Sequence, residues 1–316
     1  MAATRIYYAS DVHGSNRCFR KFLNAAKFYQ ANVLVMGGDI LGKAIAFLEE
    51  VGSGVYATEE HGHQVILRTE AEVLAFEQRA SDRGLYSYRC HAGEPQVLRN
   101  AGEIELLFTR LMRERLMQWL NLADERLAGT GVRCFMMGGN DDPPGVLEVL
   151  SEGDVVCNPE DHAVLLDEAS EMISFGWSNP TPWHTPRECS EEELGKRIDA
   201  LMAQVKHPES LVMNLHVPPF QSGLDDAPEL DASLKVQTSL GQTRFKPVGS
   251  TAVRASIERY QPLLGLHGHV HEAHASCKIG RTVCINPGSD YSEGVLHGVL
   301  VTLNKGKLKG YQMVSG

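Results

Sequence analysis

Gly268-His269-Val270-His271 follows the apolar stretch Leu263-Leu264-Gly265-Leu266. Four earlier segments repeat that arrangement, an apolar run that ends in polar residues able to hold a metal. They are Asp11-Val12-His13 after Ile6-Tyr7-Tyr8-Ala9, Gly38-Asp39 after Val33-Leu34-Val35-Met36, Gly139-Asn140 after Cys134-Phe135-Met136-Met137, and His216 after Leu211-Val212-Met213-Asn214-Leu215. Short apolar runs rich in Val and bounded by Gly read as strands buried on both faces, the pattern of a parallel sheet. In open α/β sheets the chemistry gathers at the carboxyl ends of such strands, so these residues are expected at one sheet edge. Asp, His and Asn together suit divalent cations of intermediate hardness, whereas all-oxygen sets favour Mg or Ca. The set is large enough for two cations sharing a carboxylate, an arrangement suited to phosphoester hydrolysis.

Outward from these segments the chain reads as α/β. Strands are expected at 5–10, 33–36, 132–137, 163–166, 172–177, 211–215, 263–266, 282–285 and 297–303. A helix runs from the Gly14-Ser15-Asn16 turn to about residue 30, with Phe19, Phe22, Leu23, Ala26 and Phe28 mostly on one side. Residues 44–130 interrupt this pattern without contributing a ligand-bearing strand end and read as an insertion or cap. It holds a hairpin, Val55–Thr58 and Gln64–Leu67, then helices over about 70–82 and 104–128. A charged helix is expected over about 190–206. Residues 218–250, rich in Gly, Pro, Ser and Asp, read as a long loop, of a length that is usually functional or mobile.

With 316 residues and 43% hydrophobic content, the chain can bury one large core carrying an insertion. A net charge of −10 argues against a long nucleic-acid duplex as partner. No basic or amphipathic stretch points to a membrane. The first strand starts almost at once, and the seven cysteines are scattered without a C-x-x-C pair. Both features fit a reducing, cytoplasmic setting. A homo-oligomer, with the insertion as a subunit contact, stays open.

Taken singly, each fragment has a plainer reading: D-x-H or G-D as a polar turn, His216 as a hydrogen-bonded core histidine. His61-Gly62-His63 shares the H-x-H spacing but falls at a hairpin tip with no carboxylate nearby, so it is read as a turn. The order of the five fragments is what carries weight. D-x-H, G-D, G-N, H and G-H-x-H over residues 11–271 resemble the calcineurin-like metallophosphoesterase superfamily, and in particular bacterial phosphoesterases allied to cyclic-nucleotide phosphodiesterases. The resemblance implies a two-sheet αββα sandwich in a single domain, with residues 44–130 as a hairpin-plus-helix insertion. It implies one metal held by Asp11, His13 and His271, a second by Asn140, His216 and His269, and Asp39 shared between them together with a bridging hydroxide that attacks phosphorus. Manganese is the first expectation, with iron, zinc or magnesium as alternatives. The activity it implies is hydrolysis of a small phosphorylated substrate, and Asp141 in the third motif puts a diester or activated ester ahead of a simple monoester. A catalytically weak scaffold of the same fold is the reading from another class.

One position departs from that family. Its third motif usually reads G-N-H, with the His aiding the departing oxygen, whereas Asp141 stands there in this chain. Asp141 is therefore either a hydrogen-bond acceptor beside the metals or a sign that the leaving group needs little help. A replacement donor is sought in Ser178-Asn179-Pro180-Thr181-Pro182-Trp183-His184-Thr185-Pro186. There His184 offers proton transfer, and Asn179 and Trp183 offer hydrogen bonding and stacking to a substrate. The plainer alternative is a proline-rich turn with Trp183 packed on the core. Asn286-Pro287-Gly288-Ser289 borders the same region, as a β-turn or a support for a ligating loop.

Overall fold

A computed structural model describes residues 3–231 and 233–316. The chain is mixed α/β. Two six-stranded sheets dominate it. Across the first, the order is Lys307–Ser315, His297–Asn304, Thr4–Ala9, Val33–Gly37, Arg133–Met137 and Val156–Cys157. The last four run parallel, and the first two are added antiparallel. Across the second, the order is Ala275–Ile279, Thr282–Asn286, Leu264–Leu266, Val212–Leu215, Glu171–Phe175 and Ala163–Leu165, with the central four parallel.

Strand alternation assigns the two faces. Ile6 and Tyr8 join Val33, Val35 and Phe135 in one buried cluster with Met172, Val212, Leu264, Leu266 and Ile285 of the other sheet. Tyr7, Ala9, Leu34 and Met36 point the opposite way, into a cluster with two helices, α1 (Asn16–Phe28) and a second described below. Strands covered on both faces must be apolar throughout, which is why these segments read as unbroken hydrophobic runs. Behind the second sheet, Ile173, Phe175, Met213 and Leu215 pack on helices Glu191–Met202 and Thr251–Tyr260.

Residues 44–130 hold the expected hairpin, Val55–Glu60 with His63–Leu67, inside a four-stranded sheet completed by Ala44–Gly52 and Leu85–His91. Helix α2 (Glu70–Asp82) closes this sheet over a small core of Ala46, Leu48, Leu67, Val73, Phe76 and Ala80. Helix α3 (Glu94–Ala101) follows, and then α4 (Ile104–Leu127) lies against α1. Trp119 of α4 stacks on Phe19 with ring centroids 4.2 Å apart, and its indole N–H donates to Asn16. Met112, Leu116 and Leu120 enter the same cluster beneath the first sheet.

Two sequence expectations need correction. Phe28 is 78% exposed, because six residues beyond Phe22 the helix has turned it away from the buried face. Residues 218–250 are not plain loop: Asp226–Pro228 pairs with Phe245–Pro247, and Thr238–Ser239 with Gln242–Thr243. No helix among the described residues is long and apolar enough to cross a membrane.

Candidate metal centre

The carboxyl ends of both sheets deliver their polar residues to one place. Asp11, His13 and His271 bring one ligand atom each within 4.8 Å of one another, and so do Asp39, His216 and His269. Between the triads, His13 Nε2 and His271 Nε2 lie 3.0 Å apart, and Asp39 Oδ2 lies 3.4 Å from His216 Nε2 and 3.8 Å from His13 Nε2. Asp39 thus faces both groups. Asn140 Oδ1 meets His269 Nδ1 at 2.7 Å and His216 Nε2 at 3.1 Å. All seven residues expected as ligands converge. His61 and His63 sit apart at the hairpin tip and take no part in these groups.

The backbone is bent to make this cup. Asp11, His13, Asp39 and His269 all have positive φ, at 56°, 39°, 49° and 67°. For residues other than glycine the left-handed region is uncommon, although Asp and His tolerate it better than most, and each instance costs on the order of 1–3 kcal/mol. The surrounding structure enforces it. Asp11 N–H donates to Gly38 O, His13 N–H to Asp39 O and Gly14 N–H to Ile40 O, zipping the first two ligand loops together. Asp142 accepts from Ile40, Leu41 and Gly139 N–H, which ties the second loop to the third. Residues 44–130 contribute as well: the Tyr86 hydroxyl accepts from Gly42 N–H, and the Arg115 guanidinium donates to Gly14 O. From the other sheet, the Asn286 amide donates to Gly268 O and Val270 O, so the turn expected near the site supports a ligand loop through this side chain.

Glycine is required where the loops touch. A Cβ at Gly139 would collide with the Asp39 carboxylate, and one at Gly268 with Ser10 and the Asp11 carboxylate. Such a cradle, with four imidazoles and two carboxylates brought together, fits a pair of divalent cations. His13 supports this. Its ring is fully buried, its Nε2 faces the cluster, and its Nδ1 has no hydrogen-bond partner.

The electrostatics are those of a preorganised anionic cup. Burial works against ionisation of Asp11, yet His271 and His216 hold its carboxyl well below the usual range. Asp39 is depressed likewise, its burial outweighed by His216 and His13. Burial above all pushes the His13 and His269 imidazoles down, His269 to about 4, so both are neutral and free to bind a metal. His216 is raised to about 9, since the Asp39 and Asp11 carboxylates overcome its burial.

A cavity of about 540 Å³ opens over this floor. Asp39, Asn140, Asp141, His269 and His271 face it from below, and Trp183, Pro228, Leu230, Val236 and Val248 form an apolar wall. Trp183 is 62% exposed at the rim and is not packed into the core. Asn179 donates to Val248 O, joining the proline-rich loop to the 218–250 segment, and does not line the cavity. His184 is exposed on the same loop, also outside the lining. Asp141 lies at the centre: its N–H donates to Asp39 Oδ1, and its carboxylate accepts from Lys43 Nζ at 2.5 Å. Burial and Asp39 raise the Asp141 carboxyl, with Lys43 opposing them. Lys43 escaped the sequence reading, because a lone Lys four residues past Asp39 has no periodicity to mark it. Thr185, which accepts from Asn140, and Glu188, which accepts from Thr185, escaped it for the same reason.

No protein-family model matches the chain. The uncharacterised protein MJ1162 of Methanocaldococcus jannaschii is 30% identical over 129 residues, 40% of this chain and 52% of that protein, so the match spans about half the length of its relative. The crystal structure of TT1561 of Thermus thermophilus aligns over 100% of this chain and 99% of that one, with a TM-score of 0.56 and 13% identity. Looser is the alignment with a dimetal phosphatase from Danio rerio, with a TM-score of 0.40 at 9% identity over 99% of this chain and 98% of that one. The likeness to TT1561 is one of fold.

Proposed function

We propose that this chain is a dinuclear, metal-dependent phosphoesterase built on a two-sheet αββα sandwich, and that it hydrolyses a small phosphodiester or an activated phosphoester. The observation that carries the reading is the convergence of two ligand triads on Asp39 at the floor of an open cavity. Two divalent cations held there, manganese first among Mn, Fe, Zn and Mg, would activate a water at neutral pH and neutralise phosphoryl oxygens.

The chain's own residues supply the rest. Lys43, held by Asp141, presents a fixed positive charge beside the floor and suits a phosphoryl oxygen. Because the Asp141 carboxylate is engaged by Lys43, it is a poor proton donor to a departing alkoxide. Esters whose leaving groups need no proton, or diesters, are therefore favoured over alkyl monoesters. The wall of Trp183, Leu230 and Val236 suits a flat or apolar group on the ester. His184 serves as a donor only to a substrate long enough to reach the rim loop. The test is hydrolysis of an aryl phosphodiester with and without Mn, set against an alkyl monoester of similar size. Turnover of the diester should dominate by kcat/KM; a clear preference for the alkyl monoester would overturn the assignment of leaving-group class.

A further inference from the structure

The two ends of the Asn140 amide differ in kind. Oδ1 can hold a cation, and Nδ2, a donor only, cannot. Oδ1 faces His269 and His216, and Nδ2 faces Thr185 Oγ1 at 2.9 Å. What sets this direction lies one residue further out. The Glu188 carboxylate accepts from Thr181 Oγ1, from Thr185 N–H at 2.8 Å and from Thr185 Oγ1 at 2.7 Å. A threonine hydroxyl owns one proton. Once that proton is given to Glu188, Thr185 has only lone pairs to offer, and the group facing it must be an N–H. A flipped Asn140 would set two acceptors against each other and leave both unsatisfied.

We propose that Glu188 and Thr185 form a one-way relay that fixes the amide of Asn140 with its oxygen toward the metal centre. Thr185 and Glu188 are then positioning residues that set cation affinity at the Asn140–His216–His269 half and leave the Asp11–His13–His271 half alone. Nδ2 also reaches Asp141 Oδ1, at 3.2 Å. That longer contact gives the same polarity but has no third group to enforce it. The inference rests on the dinuclear reading above.

The experiment measures Mn binding by chelator competition, with stoichiometry by elemental analysis, for the wild type, Thr185→Val, Thr185→Ser and Glu188→Gln. Valine keeps the shape and deletes the acceptor. It should weaken one of two Mn sites by about 10–100-fold, the usual effect of losing an outer partner of a ligand, and leave the other site unchanged. Thr185→Ser, which keeps the hydroxyl, should restore wild-type binding. Glu188→Gln should weaken the same site by less, because its amide can still accept. Two full-affinity sites in Thr185→Val would overturn the relay, as would equal weakening of both sites with a lowered Tm. If Thr185→Val does not fold, Glu188→Gln decides, and unaltered binding in that variant overturns the proposal. A wild type that binds no Mn sinks the dinuclear reading itself.

Discussion

Two pairs of the candidate ligands are held in different ways. Asp11 and His13 are placed by main-chain shape: both lie in left-handed backbone, and the His13 ring makes no hydrogen bond through Nδ1. His216 and Asn140 are placed by side-chain hydrogen bonds, from His216 Nδ1 to Gly37 O and from Asn140 Nδ2 to Thr185. A shape-held ligand has few intermediate states between right and wrong. A bond-held ligand can be loosened by degrees, because each bond contributes its own increment. Asp39 belongs to neither half, since its carboxylate faces both.

The largest separation is expected between Asp39→Ala and Asn140→Ala. Asp39→Ala should abolish binding of both Mn ions and reduce aryl diester turnover to background; Asn140→Ala should retain one Mn. Equal stoichiometry in the two variants would erase the distinction between shared and unshared ligands. Next in size is Gly139→Ala, whose new methyl group meets Asp39. A misplacement of this kind should lower kcat/KM by about a hundredfold. Gly145→Ala, where an added Cβ meets nothing within 4 Å, serves as the control.

Lys43→Met should cost about 10–100-fold in kcat/KM, the range for a hydrogen bond to a charged group, with Mn content unchanged. A fall in Mn content would instead assign Lys43 to the architecture of the cup. The smallest effect belongs to Trp183→Ala. KM for an aryl diester should rise about two- to tenfold, in keeping with the 0.5–1.5 kcal/mol of an aromatic contact, and KM for a small alkyl ester should not change. An equal change for both esters would remove Trp183 from recognition and leave it a rim residue.

The convergence of the candidate ligands was legible in the sequence because each follows a strand buried on both faces, and burial on both faces writes an unbroken apolar run. Lys307–Ser315 was not, since it is an exposed edge strand with the composition Lys-Leu-Lys-Gly-Tyr-Gln-Met-Val-Ser. Nor was Thr251–Tyr260, whose capping Ser250 is the last residue of the stretch read as loop. Lys43, Thr185 and Glu188 act through contacts across 45 residues or more, or within an irregular loop, and no local period records such contacts. His184 drew attention by its chemistry, but the loop leaves it exposed outside the lining while Trp183 faces the cavity.

The Gly42 N–H donates to Tyr86 and Arg115 donates to Gly14 O, and both bonds matter for trimming the chain. Splicing residue 43 to residue 132 would strip partners from both loops and remove Trp119 from its stack on Phe19. A shortened version would not keep the floor of this cavity by deletion alone. A chain lacking residues 44–131 would need other groups to brace those two turns.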